Sequence, residues 1–354
     1  MTELRNPVSA APSRGAGAGL WLSKAANLIF SVLLTFVGLL VVTFLIGRVI
    51  PIDPVLAVVG DRALPDVYAR VRQELALDEP LYYQFWLYVT KALHGDFGKS
   101  VITSRPVIED ILRYFPATIE LATLATLLGV MIGVPAGVVA AKNQGRWPDQ
   151  LVRLLGLIGY SVPVFWLGLV GLFVFYSKLG WVSGTGRLDV YYEDIVDPVT
   201  GMMLIDAALA REWDIFFNAI SHLALPVSIL GYYSLAYISR MTRSFMIEQL
   251  GQEYVTAARV KGLSELRVVW RHALGNAMLP LVTVIALSYA SLLEGAVLTE
   301  TVFAWPGLGR YITDSLFNAD MNPVLGGTFV VGLAFIGLNL LSDVLYRVLD
   351  PRSR

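Results

Sequence analysis

Apolar residues along the chain fall into blocks of roughly 20, separated by polar and charged stretches. A block of that length crosses a hydrocarbon core about 30 Å thick as an α-helix. The strands of a membrane barrel would instead show shorter segments of alternating hydrophobicity. The pattern therefore predicts an all-α polytopic membrane protein. We predict six transmembrane helices, at 27–48, 117–141, 154–176, 219–239, 278–299 and 324–346.

The segments between these blocks divide the chain into regions. Residues 1–26 are mostly small and polar, which predicts a disordered cytoplasmic tail ahead of the first span. The run Leu28–Ile46 has 19 residues without a charge and no cleavage site after it, so we interpret it as a retained helix. We predict an extracytoplasmic region at 49–116, a transmembrane core at 117–348 with loops at 177–218 and 240–277, and a cytoplasmic tail at 349–354.

The distribution of Lys and Arg favours one orientation in the membrane. If the N-terminus is cytoplasmic, 15 of the 27 Lys and Arg residues fall in short inner segments. The other 12 are diluted over three longer outer segments. Short cytoplasmic loops carry an excess of Lys and Arg in membrane proteins. We therefore predict that both termini are cytoplasmic, that 177–218 is extracytoplasmic and that 240–277 is a cytoplasmic loop.

The amino-acid composition excludes several kinds of functional site. The chain is 56% hydrophobic and 16% charged, with a mean hydropathy of +0.62, and its net charge of −1 gives no reason to expect a nucleic-acid partner. The absence of cysteine excludes disulfides, thiolate zinc sites and cysteine nucleophiles. Three histidines are scattered, and the G-x-S-x-G and H-E-x-x-H patterns are absent. We predict no catalytic residue, no metal site and no enzymatic activity in this chain.

The basic segment 253–280 carries the main functional signal. Met246, Leu250, Tyr254 and Ala258 follow a four-residue spacing, which predicts one face of a helix that ends at Gly262. A second helical stretch, 264–273, follows with Ser264 as its N-cap. Two interpretations fit this pattern equally: a helix that docks on a partner, and an amphipathic helix that rests on lipid headgroups.

A family resemblance separates these interpretations. Thr256-Ala257-Ala258, three residues and then Gly262 are similar to the EAA-x-x-x-G loop of ABC importer permeases, with Thr in place of the usual Glu. Further segments resemble the dipeptide and oligopeptide B-type branch of that family in the expected order, so that the resemblance covers roughly 28–353. These segments are Gly95–Ser100 with Arg105-Pro106-Val107, Phe115–Leu121, Ser161–Gly168 and Glu300–Arg310.

The resemblance implies a type I ABC importer permease fold in the cell inner membrane. It implies a coupling helix that docks in a groove on an ATPase subunit, and the residues it places at that joint are Glu253, Tyr254, Ala257, Ala258, Arg259, Lys261 and Gly262. The implied partners are a second homologous permease, two ABC ATPase domains and an extracytoplasmic substrate-binding protein. ATP and Mg would be bound by the ATPase partners, with no cofactor in this chain. The cargo would be di- or oligopeptides, with nickel, glutathione or another small solute as alternatives.

Three carboxylates, Glu120, Glu294 and Asp343, fall inside predicted spans, where charge is costly and usually faces a cavity or the bundle interior, and Asp343 lies near the inner end of the last span. Glu120 and Glu294 are therefore candidates for the translocation path, with a hydrogen-bonded interior carboxylate as the alternative. A stand-alone secondary transporter is the alternative of another class, and it would require an ion-relay network in the membrane. The segment ending Gly98-Lys99-Ser100 is not a phosphate loop, because Leu93 occupies the position of its first glycine.

Overall fold

The computed structural model describes residues 14–49, 54–60, 64–74 and 76–349. Five helical segments within these residues are long and apolar enough to cross a membrane, and a sixth span exists if one bent pair is counted as one. The predicted all-helical membrane fold is therefore confirmed. The described helices are α1 Arg14–Val49, α2 Pro54–Val59, α3 Pro65–Glu74, α4 Leu81–Leu93, α5 Val107–Lys142, α6 Trp147–Ser161, α7 Val164–Gly171, α8 Met203–Ala210, α9 Trp213–Leu250, α10 Glu253–Val260, α11 Glu265–Arg267, α12 Leu274–Val302, α13 Leu308–Phe317 and α14 Met321–Leu349.

The span predicted at 154–176 consists of two helices with a bend between them. The structure has α6 followed by α7 and a π-helical turn, Leu172–Lys178, with a bend of 97° between the two halves. Val162 between them is extended, with φ −92° and ψ 127°, and Pro163 follows it. Proline disfavours the helical region for the residue before it, which accounts for the break at this point.

Several predicted boundaries are also wrong, because helices continue beyond the apolar blocks. Helix α1 begins at Arg14, so residues 14–26 are helical rather than disordered, and residues 1–13 lie outside the described part. Helix α9 continues to Leu250, eleven residues into the predicted loop at 240–277, and it begins at Trp213 inside the predicted loop at 177–218. A block of apolar residues marks only the apolar part of a helix. Helices α5 and α9 have 36 and 38 residues and are about 55 Å long, so their ends continue beyond the apolar blocks.

Helices α5 and α9 run parallel and form the centre of the bundle. Gly129, Gly133 and Gly137 face α9 in register, next to Ser234, Ile238 and Thr242 respectively. Small residues at four-residue spacing let two membrane helices approach closely, because no side chain separates their backbones. Helices α6 and α12 both pack against this pair, and α14 packs mainly against α12.

The two ends of the α5–α9 pair differ. At one end α9 continues into α10, and we refer to this end as the α10 end. At the opposite end, residues 179–212 form a folded loop, and its Leu188 and Ala207 share an apolar cluster with Ile215 of α9. Asp206 accepts hydrogen bonds from the amides of Thr200 and Gly201 and so closes a turn of this loop. The loop thus packs as a small unit on the first turns of α9.

Candidate functional site

Helix α10 has well-defined ends. Gln252 before it is extended, with φ −79° and ψ 151°, and Glu253 in the first turn is favourable near the positive end of the helix dipole. At the other end Gly262 has φ +77°, a conformation that strongly favours glycine. The amide of Gly262 donates to the carbonyl of Arg259, and that of Leu263 donates to the carbonyl of Ala258. These two bonds form a Schellman motif, so the predicted helix end at Gly262 is confirmed.

One face of α10 is fixed to the bundle. Val255 is fully buried and Ala258 is 8% exposed, and both lie in one apolar cluster with Met246 of α9. The same cluster contains Val138 near the end of α5, together with Val268 and Ala277 from the segment that follows α10. Helix α10 is therefore packed against the ends of several long helices and is not a free surface segment.

The opposite face of α10 is open. It lines a shallow hollow of about 470 Å³, and Val260 within it is 84% exposed. Ala257 in the middle of this face is small, which leaves the helix backbone accessible to a close partner surface. We call these residues the exposed α10 face, and they are Gly251, Glu253, Thr256, Ala257, Val260 and Lys261.

The seven residues that the resemblance places at the coupling joint divide into three groups. Glu253, Ala257 and Lys261 belong to the exposed α10 face. Tyr254 and Arg259 are exposed beside it and are held by partners in this chain, since the Tyr254 hydroxyl lies 2.9 Å from Gln249 Oε1 and Arg259 Nε lies 2.7 Å from Glu265 Oε1. Ala258 points into the bundle, and Gly262 forms the turn.

The predicted four-residue face is wrong. Met246 and Leu250 belong to α9, and the chain turns at Gly251–Gln252 before α10 begins. Because of that break Tyr254 is 37% exposed, whereas Met246 and Ala258 are buried. The predicted helix at 264–273 is only partly α-helical, since Val268–Ala273 form a π-helical turn. Ser264 stands at its N-cap position, although its side chain makes no capping hydrogen bond there.

The two path candidates have different environments. Glu120 is buried, and its carboxylate accepts hydrogen bonds from Arg187 Nη2 at 2.5 Å and from the Leu204 amide at 2.8 Å. Both donors belong to the loop at 179–212, so Glu120 holds that loop on α5. Glu294 is exposed on α12 and forms no ion pair within the described residues.

Glu300 is a fully buried carboxylate whose role the sequence did not predict. It accepts hydrogen bonds from the Thr118 hydroxyl at 2.6 Å and the Arg310 amide at 2.9 Å. A Cβ at Gly307 would lie 2.2 Å from its carboxyl group, so only glycine fits there. Glu300 thereby joins α12, α5 and the start of α13. The sequence offered Glu300 only as part of a motif, without a sign that its side chain is central.

Within the described residues, no three His, Cys, Asp or Glu side chains converge into a group that could hold a metal ion.

The sequence of the chain matches a known family of transport proteins over most of its length. The profile of the binding-protein-dependent transport system inner membrane component family matches residues 133–354, and the profile of its N-terminal region matches residues 25–122. The chain belongs to this family of transport-system permeases.

Individual permeases of this kind match over nearly their whole length. The chain is 44% identical over 326 residues to the probable D,D-dipeptide transport system permease DdpB of Escherichia coli K12, covering 91% of this chain and 95% of the relative. It is also 44% identical over 321 residues to the di/tripeptide transport system permease DppB of Pseudomonas aeruginosa, covering 90% and 95%. These matches confirm the sequence-based assignment to an ABC importer permease subunit.

The fold of the permease has a solved counterpart. The chain aligns with inward-facing structures of the MetNI methionine ABC transporter at a TM-score of 0.51. The alignment covers 70% of this chain and 99% of that chain at 15% identity. At that identity the match supports the type I importer permease fold alone.

Proposed function

We propose that this permease subunit imports di- or oligopeptides and receives its driving force through the exposed α10 face. The proposed mechanism rests on one observation, namely that one face of α10 is buried in the bundle and the opposite face is exposed. Val255 and Ala258 are buried against α9 and its neighbours, while Ala257 and Val260 are exposed to a potential partner. A helix that is fixed on one side and open on the other transmits a push from a partner to the bundle.

The proposed partner at this face is an ABC ATPase subunit, which would bind the ATP and Mg that this chain does not. Ala257 and the exposed Val260 offer an apolar centre, and Glu253 and Lys261 offer charges around it. A centre of that kind with a polar rim is typical of protein interfaces. This arrangement favours the docking interpretation over a helix that rests on lipid headgroups, because the apolar centre of the face has flanking charges of both signs.

The proposed assembly contains a second homologous permease, two ATPase domains and an extracytoplasmic binding protein. In this assembly both termini and the α10 end are cytoplasmic, because Lys and Arg are concentrated in the short segments there. The alternating states would differ in how α10 sits on the ATPase, which is the differential contact that coupling requires. No residue of this chain carries out covalent chemistry in the proposal.

Peptide cargo is supported by the relatives, which are named as dipeptide or di/tripeptide permeases at 44% identity. Glu294 remains the proposed path residue, because it is an exposed carboxylate on a spanning helix. Glu120 is a weaker path candidate, since both of its carboxylate oxygens are occupied by the loop at 179–212. Nickel, glutathione and other small solutes are the alternative cargoes.

A matched pair of substitutions tests the docking face. Val260→Glu places a charge at the centre of the exposed α10 face, where the side chain is 84% exposed. Val190→Glu makes the same change at the opposite end of the bundle, where the side chain is 82% exposed. We expect Val260→Glu to abolish co-purification of the ATPase and peptide uptake, and Val190→Glu to leave ATPase co-purification unchanged. Normal ATPase recovery with Val260→Glu would exclude the exposed α10 face as the docking site.

The cargo requires its own experiment. The tagged chain is purified from its native membrane in mild detergent with its companions, reconstituted in vesicles, and supplied with the co-purifying binding protein. We expect ATP-dependent uptake of a labelled dipeptide, and no uptake of nickel or glutathione. Uptake without ATP by the chain alone would instead favour a secondary transporter.

A further inference from the structure

A groove of about 530 Å³ lies between α6 and α9 toward the α10 end, separate from the exposed α10 face. Its walls are apolar, with Leu154 and Leu157 from α6 and Ala236 from α9. Leu154 is 55% exposed and Leu157 is 63% exposed, so none of the described residues covers these walls. The volume falls within the range of pockets that bind small ligands, roughly 300–1,000 Å³.

Two arginines give this groove a positive mouth. Arg240 stacks on Tyr160, with 4.7 Å from its guanidinium carbon to the ring centroid, and donates to the Tyr160 hydroxyl at 3.4 Å. Arg153 is exposed one turn after Asp149 on α6. Neither Arg153 nor Arg240 forms an ion pair with a carboxylate in the part of the chain that the structure describes. Tyr160 holds the guanidinium group of Arg240 in place, and both guanidinium groups lack a carboxylate partner among the described residues.

A third arginine in the groove is already neutralised. Arg243 forms a two-point ion pair with Asp149, with distances of 2.5 and 2.8 Å. Asp149 also accepts the Gly145 amide at 2.8 Å and is fully buried as a residue. This pair fixes α6 against α9 and so sets the width of the groove, while Arg153 and Arg240 remain available to an anion.

We place the mouth of the groove at the depth of lipid headgroups on the basis of one exposed aromatic side chain beside it. Trp147 at the start of α6 is 74% exposed, and exposed tryptophan at a helix end is typical of the membrane interface. A positive mouth above an apolar wall complements an amphiphile with an anionic head and a hydrocarbon tail. A soluble anion would use the arginines and leave the leucine wall uncovered. Basic pockets between membrane helices bind anionic lipid headgroups in this manner.

We propose that this groove binds one anionic phospholipid, with its phosphate between Arg153 and Arg240 and an acyl chain along Leu154 and Leu157. The lipid would bridge α6 and α9 beside the Asp149–Arg243 pair. Its binding does not depend on the identity of the cargo or on ATPase docking.

The test measures lipid retention directly. The full chain is purified with its companions in mixed micelles that contain equal phosphatidylglycerol and phosphatidylcholine, and tightly bound lipid is counted by native mass spectrometry. Each basic side chain near a membrane surface contributes roughly fivefold to binding of an anionic lipid. We therefore expect the double variant Arg153→Gln/Arg240→Gln to weaken phosphatidylglycerol binding by about 25-fold.

Two controls distinguish the groove from general effects. Arg153→Lys/Arg240→Lys keeps the charge and should retain most of the phosphatidylglycerol. Arg146→Gln removes an exposed arginine from the same end of the chain that does not line the groove, and it should change nothing. Thermal unfolding of each variant establishes that the bundle remains folded.

Three results would overturn the proposal. Equal phosphatidylglycerol retention in the wild type and the double Gln variant would mean that another surface, such as the second permease, covers the groove. Equal loss of phosphatidylcholine and phosphatidylglycerol would mean that the variant merely loosens packing. Displacement of phosphatidylglycerol by a dipeptide, but not by its C-terminal amide, would assign the groove to the cargo instead.

Discussion

The close packing of α5 on α9 predicts that a methyl group added at a glycine between them destabilises the chain. A Cβ at Gly137 would lie 2.6 Å from the Ser239 carbonyl oxygen and 2.6 Å from Thr242 Cβ. At Gly133 the nearest neighbour of a Cβ is 3.1 Å away, and at Gly295 on α12 there is nothing within 4 Å. The substitution Gly→Ala thus adds the same methyl group where it would clash (Gly137), where it would be in tight contact (Gly133) and where it would meet no atom (Gly295).

The expected cost at Gly137 follows from which atoms stand in the way. Neither the Ser239 carbonyl nor Thr242 Cβ can be moved by a rotamer change, so α5 and α9 must separate by several tenths of an ångström. Overpacking of this kind costs about 1–3 kcal/mol. Alanine is more favourable than glycine in a helix interior by roughly 0.5–1 kcal/mol. We therefore expect a net loss of about 1–2 kcal/mol for Gly137→Ala, about zero for Gly133→Ala and a small gain for Gly295→Ala.

The assay is the midpoint of thermal unfolding, followed by fluorescence-detected size exclusion in one detergent. A change of 1 kcal/mol in the free energy of unfolding moves the midpoint by roughly 2–4 °C in proteins of a few hundred residues. Gly137→Ala should lower the midpoint by about 2–8 °C, while Gly295→Ala should not lower it. Equal midpoints for Gly137→Ala and Gly295→Ala would refute the reasoning, because the contact between α5 and α9 would then be able to relax at no cost.

Three further predictions concern charged groups. Asp149→Asn breaks the ion pair between the buried Asp149 and Arg243, whose side chain is 22% exposed, so it should destabilise the chain by about 2 kcal/mol and lower the thermal midpoint. Glu120→Gln weakens the ion pair that holds the loop at 179–212, so limited proteolysis should cut that loop faster, and an unchanged rate would contradict its anchoring role. A hydrogen bond from the Asn218 side chain holds the pKa of Asp189 below its ordinary value of 3.8. The ionised carboxylate therefore stabilises the loop above pH 3.8, and this stabilisation is lost as the pH falls through the lowered pKa. The protection of the loop amides against hydrogen exchange, relative to the intrinsic exchange rate at each pH, should fall below about pH 4, and Asp189→Asn should remove that dependence.

Local sequence signals predicted the elements that depend on local physics. The apolar blocks located the spanning helices, and Gly262 located the end of α10, because a positive φ is a property of one residue. The bend after Ser161 was also encoded locally, in the extended preference of Val162 before Pro163. It was missed because the apolar block continues without interruption across it.

The contacts that fix the site were not predictable in this way. Glu120 and Arg187 are 67 residues apart, and Thr118 and Glu300 are 182 residues apart. Nothing in either neighbourhood specifies its partner, since the pairing depends on how the helices are arranged. The orientation of Ala258 into the bundle has the same origin, because it follows from the turn between α9 and α10.

The arrangement of α9 determines how a displacement at one end reaches the other. Its 38 residues form one helix about 57 Å long, and Asn218 near its start hydrogen-bonds Asp189 of the loop at 179–212. Its last turns share a buried cluster with α10 and with Val138 of α5, so a push on α10 meets packed side chains rather than a flexible hinge. Packed interfaces of this kind move as rigid bodies because their cores do not deform continuously. A force at the exposed α10 face should therefore tilt the α5–α9 pair as a unit, and the bent pair α6–α7, held to α9 through Asp149, is the element that must adjust to it.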